Sequence, residues 1–272
     1  MSSGAWICPS CQAVSPAEAR YCAQCGERRL PAAGVTETAQ RWWRTLGLLV
    51  AQPGALTCDH RDGRRRPRVP PLTLFLAINV AFFVAQALSG LTLLSIPLRA
   101  HLVGQNYSAE ATRWVDQRLA AESIDRERYA ERFDARQLVF AKSTVLAMVP
   151  LLAAVCALLY AGRRQRWATH WTFALHFYAF ALLFMTGYFI VAGLVLAALK
   201  AAGMVVDVVA ANFAIAGVMA LAFGVYVSLA SRRVYGLGAR RRIASSFGAV
   251  AAVFAVLQLH RFAVFGATLL LT

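Results

Sequence analysis

RDGRRRPRVPPLTLFLAINVAFFVAQALSGLTLLSIP, running from Arg61 to Pro97, decides the fold. Its first eight residues hold five arginines: Arg61, Arg64, Arg65, Arg66 and Arg68. From Pro71 to Pro97 no charged residue follows, and that length exceeds the roughly 20 apolar residues needed to cross hydrocarbon. A basic run set against an apolar segment is the cytoplasmic flank of a transmembrane helix.

Four further runs share this character: Ser143 to Ala161, Trp171 to Leu199, Val205 to Ala230, and Ser246 to about Leu270. So many apolar runs in the C-terminal two thirds exclude a soluble protein with a few buried helices. The expected class is an all-α multi-pass membrane protein of five transmembrane helices, occupying residues 71–272. The 272-residue chain is 59% hydrophobic and 15% charged, with a net charge of +15. In a soluble protein that excess would suggest nucleic acid. Here it gathers in alternate connections, at Arg163, Arg164 and Arg166 and at Arg232, Arg233, Arg240, Arg241 and Arg242. The segment from Leu98 to Lys142 has eight basic and seven acidic residues, and the link from Lys200 to Asp207 has one of each. The positive-inside rule therefore places the N-terminus and the arginine loops in the cytosol and the C-terminus on the outer side. No cleavable signal peptide is expected, because the first thirty residues are cysteine-rich and polar.

The arginine run at 61–68 has two readings: it lies among anionic lipid head groups, or it forms a specific lipid or partner contact. Residues 98–142 read as an external cap or short helical hairpin. Glu122 with Arg126 and Asp125 with Arg128 are its expected ion pairs, and Trp114, Val115, Leu119 and Ala120 its expected inward face.

Ahead of the membrane region stands CPSCQAVSPAEARYCAQC, from Cys8 to Cys25. Its two CxxC pairs, Cys8/Cys11 and Cys22/Cys25, can complete a tetrahedron of thiolates. Gly26 suits the tight backbone turn of a knuckle. Residues 6–30 are too few to bury a useful core, so bound metal would supply most of the folding energy. Disulfides need an oxidising compartment, and a redox CxxC belongs in a thioredoxin-like βαβ pattern. A rubredoxin-like iron site is the remaining rival to one structural zinc in a four-cysteine ribbon. Four protein ligands leave no open position, so the metal is structural.

Residues 31–70 form a linker with an amphipathic helix in QRWWRTLGLLVAQPGAL, which Pro53 and Gly54 end. Trp42, Trp43, Leu46, Leu49 and Val50 share one face, with Arg41, Thr45 and Gln52 opposite. The helix either lies in the membrane interface or packs on the bundle.

Polar residues inside lipid are the default functional candidates: His170, His176, Asn212, His260 and Arg261. Counted from the cytoplasmic ends, His176 is shallow and His260 deep, which speaks against a shared haem or proton relay and for separate interhelical hydrogen bonds. Arg261 is placed to snorkel outward. Cys58 and Cys156 stand alone, and Asp59 and His60 complete no recognisable motif. No phosphate loop, nucleophile elbow or acidic metal motif is present, so no catalytic function is expected.

The stretches LLVAQPGALTCDHRDGRRRPRVPPLTLFL (Leu48–Leu76) and MVPLLAAVCALLYAGRRQRWATHWTFALHFYAF (Met148–Phe180), in this order behind the ribbon, resemble a bacterial family, the domain of unknown function numbered 3667. The resemblance extends from Cys8 to about Phe184 and implies an N-terminal zinc ribbon before a multi-pass membrane region. The family tends to carry an aromatic residue just before the proline ahead of the first span, where Val69 stands here. It implies no activity. The function expected is a non-enzymatic integral membrane protein presenting a cytosolic zinc ribbon as a protein-interaction or regulatory module. A transporter or channel for a small solute or lipid, regulated by the ribbon, is the alternative. Its tell would be a polar track through His176, Asn212 and His260. Partners would be anionic lipids and a cytosolic or membrane protein. Nucleic acid fits poorly, because QAVSPAEARY offers one arginine and one tyrosine. A homo-oligomer is compatible with the pattern.

Overall fold

A computed structural model describes residues 5–8, 11–16, 18–26, 35–64, 68–89, 96–204 and 208–272. The chain forms two compact units, Met1–Arg44 and Thr45–Thr272.

The first unit holds two short strands, β1 (Trp6–Ile7) and β2 (Val14–Ser15), paired antiparallel with Ile7 opposite Val14. Helix α1 (Val35–Ala51) begins in the first unit and ends in the second.

The second unit is helical: α2 (Ala55–Arg61), α3 (Pro71–Ser89), α4 (Leu98–Leu102), α5 (Ser108–Glu122), α6 (Arg126–Leu159), α7 (Trp167–Ala201), α8 (Val208–Tyr235) and α9 (Ala239–Leu271). Among the described residues, Pro71–Ser89, Trp167–Ala201, Ala214–Tyr235 and Ala239–Leu271 are long and apolar enough to cross a membrane. The expected second span is the C-terminal half of α6, with a shorter apolar stretch at Val145–Leu159. The polar first half of α6 continues the same helix, so the change from water-facing to lipid-facing composition falls within one rod. The protein is thus a multi-pass membrane protein of helical spans with a cysteine cluster near its N-terminus. The first span is described as helix from Pro71 to Ser89, and residues 90–95 of the expected run lie outside the described residues.

Helix α6 packs against both α7 and α9, α8 against α9, and α3 against α7. Gly224, the last residue of a small-residue row in α8, faces Val250 of α9, whose side chain lies 3.6 Å from where a Cβ would stand, an ordinary contact distance. This packing collects the arginine connections at one end. There Arg61 reaches Val234, Arg233 reaches Pro53, and Arg163 and Arg241 line one groove.

At the opposite end, α4, α5 and the first half of α6 build a small core with α9 from Leu98, Tyr107, Ala111, Val115, Tyr129, Phe133 and Phe265. Of the expected inward face, Val115 is fully buried and Leu119 partly so, whereas Ala120 is exposed and Trp114 is half-exposed against Phe262 and Phe265. The expected pairing of Glu122 with Arg126 gives way to another. Helix α5 stops at Glu122 and Ser123 turns left-handed (φ 51°), so residues 122 and 126 belong to different helices. Glu122 instead pairs with Arg118 one turn back, and Arg126 reaches across to Asp116. Asp125 caps α6, its carboxylate accepting the Glu127 N–H at 3.0 Å.

Candidate metal centre and the polar sites of the helical unit

Each CxxC pair forms a knuckle of one design. In the first, the Gln12 N–H donates to the Cys8 carbonyl at 2.8 Å; in the second, the Gly26 N–H donates to the Cys22 carbonyl at 2.9 Å. Both turns close with a left-handed residue, Gln12 at φ 58° and Gly26 at φ 69°. The knuckles face each other, with Cys8 Sγ 3.5 Å from Cys25 Sγ and Cys11 Sγ 3.6 Å from Cys22 Sγ. All four sulfurs lie within 4.8 Å of one another. Disulfide sulfurs would stand about 2.05 Å apart. Four sulfurs at about 2.3 Å from a central ion would form a tetrahedron with edges near 3.8 Å. The donor set therefore fits one metal ion, and all four cysteines are free of disulfides.

Backbone N–H groups of Cys25 and Gln24 lower the Cys22 thiol to about 6, so this sulfur is readily a thiolate. Hydrogen bonding with Cys11 and crowding by the other sulfurs push Cys25 the other way. A cation at the centre would remove that conflict.

Gly26 is legible in the sequence as a knuckle glycine, whereas nothing marks Gln12 as its counterpart. A non-glycine residue held left-handed costs about 1–2 kcal/mol. Gln12→Gly is therefore expected to tighten metal binding by about tenfold in competition titrations against a chelator.

In the helical unit, the short helix α2 is the organising element. Gly54 precedes it at φ 83°, and a Cβ there would stand 2.9 Å from the Ala230 carbonyl oxygen and 3.0 Å from its Cα. Only glycine lets the chain come this close to α8. The last carbonyls of α8 have no helical partner of their own. Cys58 Sγ donates to the Arg233 carbonyl at 3.6 Å, and the Arg61 guanidinium donates to the Val234 carbonyl at 2.9 Å. In return the Arg233 guanidinium donates to the Pro53 carbonyl at 3.1 Å. Cys58 and Arg61, three residues apart on one face, cap α8. Burial raises the Cys58 thiol, which keeps it protonated as a donor.

The other side of α2 meets α7, where Thr57 Oγ1 and His176 Nδ1 are hydrogen-bonded at 2.9 Å, both residues buried. Asp59 accepts Nε–H of Arg64 and of Arg68, each at 3.1 Å. Arg64 also donates to Asp62, as does Arg61 at 2.8 Å. The Arg61 hydrogen bond, with its charge behind it, holds the Asp62 carboxyl below its ordinary range. Arg61 thus has an internal structural role, and Arg64 and Arg68 are oriented by a shared carboxylate. Arg65 and Arg66 lie outside the described residues.

The interfacial-helix face needs correction. Thr45, expected on the polar side, is fully buried, and its Oγ1 accepts the Val69 N–H at 3.2 Å. Leu49 is buried one turn on, while Val50 and Trp43 are exposed. The inward stripe follows Thr45 and Leu49 because a buried hydroxyl satisfied by backbone is as acceptable inside as an apolar group.

Among the described residues, the intramembrane candidates do not converge. His170 Nδ1 is 3.0 Å from the Tyr235 hydroxyl, its ring stacked on Tyr235, which also stacks on Tyr160 with ring centroids 4.0 Å apart. His176 is held by Thr57 at the arginine end. His260 and Arg261 lie near the opposite end, where Arg261 donates to Gln258 at 3.2 Å. Arg261 does not simply snorkel: it is half-buried, and its charge acts on His101 and Tyr107. The side chain of Asn212 lies outside the described residues.

One buried network has no signature in the sequence. His101 has Nδ1 2.7 Å from the Tyr107 hydroxyl and Nε2 2.6 Å from the Gln137 amide nitrogen, and Phe133 and Phe265 pack round it. Asp134 anchors its helix by accepting the Leu98 N–H at 2.7 Å. Burial, aided by the Arg261 charge, lowers His101 to about 4, against the Gln137 hydrogen bond. Below the ordinary histidine value of 6.5 the unfolded chain takes up a proton that the folded one refuses. Stability from this group is full above pH 6.5 and lost progressively toward pH 4, by at most about 3 kcal/mol. His101→Gln is expected to flatten the pH 7 to pH 4.5 difference in denaturant unfolding of the detergent-solubilised protein. An unchanged difference would mean that folding leaves His101 at its ordinary histidine value.

Comparison with known proteins adds one finding. Residues 40–83 match the model of a family described as Protein of unknown function (DUF3667). The resemblance read from the sequence is found over that stretch, which excludes the cysteine ribbon. The DUF3667 stretch covers most of α1, all of α2 and most of α3. It therefore contains Gly54, Thr57, Cys58, Asp59, His60, Arg61, Arg64 and Arg68, the residues that dock α2 and surround His176. No curated protein and no solved structure matches the chain.

Proposed function

We propose that this chain is a non-enzymatic adaptor of the bacterial inner membrane, whose four-cysteine ribbon binds one structural zinc and presents a docking surface to a protein partner in the cytosol. The observation that carries this reading is the apolar surface of the ribbon. Ile7 and Val14 are 67% and 69% exposed. They are direct cross-strand partners, so their side chains stand on one face of the hairpin. Tyr21 is 59% exposed in the same small unit. Large exposed apolar groups on a module of this size suit a protein contact, whereas a nucleic-acid surface would need cations and stacking rings. The two knuckles use all four cysteines, which leaves a bound zinc a scaffold and not a reaction centre. Arginine connections gathered at one end of the bundle support a cytosolic N-terminus. The transporter reading gains no support among the described residues, where His176 and His260 lie toward opposite ends of the helical unit.

The test is affinity capture from native membranes with full-length protein, Ile7→Ser/Val14→Ser and Cys8→Ser/Cys11→Ser at matched abundance. A partner captured by the parent should be lost from both variants, with zinc retained in the first. An unchanged partner set from the Ile7→Ser/Val14→Ser variant would defeat the adaptor reading.

A further inference from the structure

At the arginine end, a cavity of about 230 Å³ opens between α2, the loop before α3, and α7. It is lined by His60, Arg64, Arg68 and His176, with Leu56 and the Val69–Pro71 segment as its apolar wall. Among the described residues no carboxylate lines it. The basic groups are graded in depth: the Arg64 side chain is 63% exposed, that of Arg68 27%, and His176 only 3%. Asp59 holds both arginines by their Nε–H groups, and Thr57 holds His176 by Nδ1. Surface arginines that only solubilise a loop need no such bracing. Here a buried hydroxyl and a carboxylate fix three basic side chains around one space.

We infer that this cavity binds a phosphate group, as a phosphomonoester or pyrophosphate, with Arg64 at the mouth and Arg68, His60 and His176 within. Guanidinium and imidazole N–H groups both donate to phosphate oxygens; Asp59 takes the Nε–H of each arginine and Asp62 an Nη–H of Arg64, so a phosphate would be met by other N–H groups of these side chains. The cavity is smaller than the roughly 300–1,000 Å³ sites that take drug-sized molecules, which suits a small anion or a head group better than a large metabolite. This goes beyond the adaptor reading and stands or falls separately from it, since it uses no residue of the ribbon.

The phosphate could belong to a soluble anion or to a lipid head group, and two probes separate them. Full-length protein in neutral detergent is titrated calorimetrically with inorganic pyrophosphate. The same protein is examined by native mass spectrometry in nanodiscs of phosphatidylcholine with and without phosphatidic acid. Arg64→Gln and His60→Gln are compared with Arg113→Gln, an exposed arginine at the opposite end. The parent and Arg113→Gln should bind alike, and each cavity variant should bind about tenfold or more weakly. Pyrophosphate binding by the parent, weakened in the cavity variants, assigns a soluble ligand; binding of phosphatidic acid alone, weakened likewise, assigns a head group. Arg64 is largely exposed, so its variant should melt with the parent, and His60→Gln reads the site independently. Absence of binding to both probes overturns the inference. So does equal weakening by Arg113→Gln, or binding indifferent to both cavity variants.

Discussion

Gly54→Ala should destabilise the helical unit by about 3 kcal/mol or more. Two costs add at this position. An alanine at φ 83° is left-handed, which costs about 1–2 kcal/mol. Its Cβ would also stand 2.9 Å from a backbone carbonyl oxygen of α8, and helix backbone cannot yield as a side-chain end can. Overpacking of this kind typically costs about 1–3 kcal/mol. Gly63 supplies the control, since it has φ 80° but nothing within 4 Å of where a Cβ would stand. Gly63→Ala should therefore lose only the conformational part. Denaturant unfolding of the detergent-solubilised variants would measure both. Equal losses would mean that α2 and α8 do not make this close approach.

Cys22→Ser should release the metal and unfold the ribbon while leaving the helical unit folded. Structural zinc contributes about 10–16 kcal/mol of apparent binding energy to small zinc-binding peptides, far more than a unit of this size can recover from packing. The alkoxide of serine is not available at neutral pH to replace a thiolate. Metal content should fall to zero with helicity by circular dichroism nearly unchanged, since α2 to α9 have a core of their own. Collapse of helicity alongside metal loss would show that the two units fold as one.

Much of this architecture is written in short-range pattern. The spacing of Cys8, Cys11, Cys22 and Cys25 specifies four converging thiolates, because each CxxC turn fixes its own pair and the intervening chain is long enough to bring the pairs together. The membrane helices follow from apolar length. Helix α2 is hidden for the opposite reason. ALTCDHR has only seven residues and too few turns to show a period. What makes it a buried helix is the unsatisfied end of α8, 173 residues away at the Arg61–Val234 contact. Cys58 and His60 consequently look isolated in sequence. The buried role of Thr45 is equally unreadable, since its partner is the backbone of Val69. The ion pairs of the α5–α6 hairpin depend on where a helix stops, and Ser123 carries no signal that fixes a left-handed turn. Gln12 is the same problem in miniature. For α2 and Thr45 the deciding partners are distant in sequence; for Ser123 and Gln12 the backbone turn overrides local propensity.

The ribbon reading rests on a closed set of four thiolates around zinc. X-ray absorption on full-length protein, purified from its own host without added metal, tests this directly. One zinc per chain with four sulfur neighbours at about 2.3 Å is the predicted result. Iron at the site, nitrogen or oxygen in the coordination shell, or metal-free protein with its cysteines oxidised in pairs would contradict it.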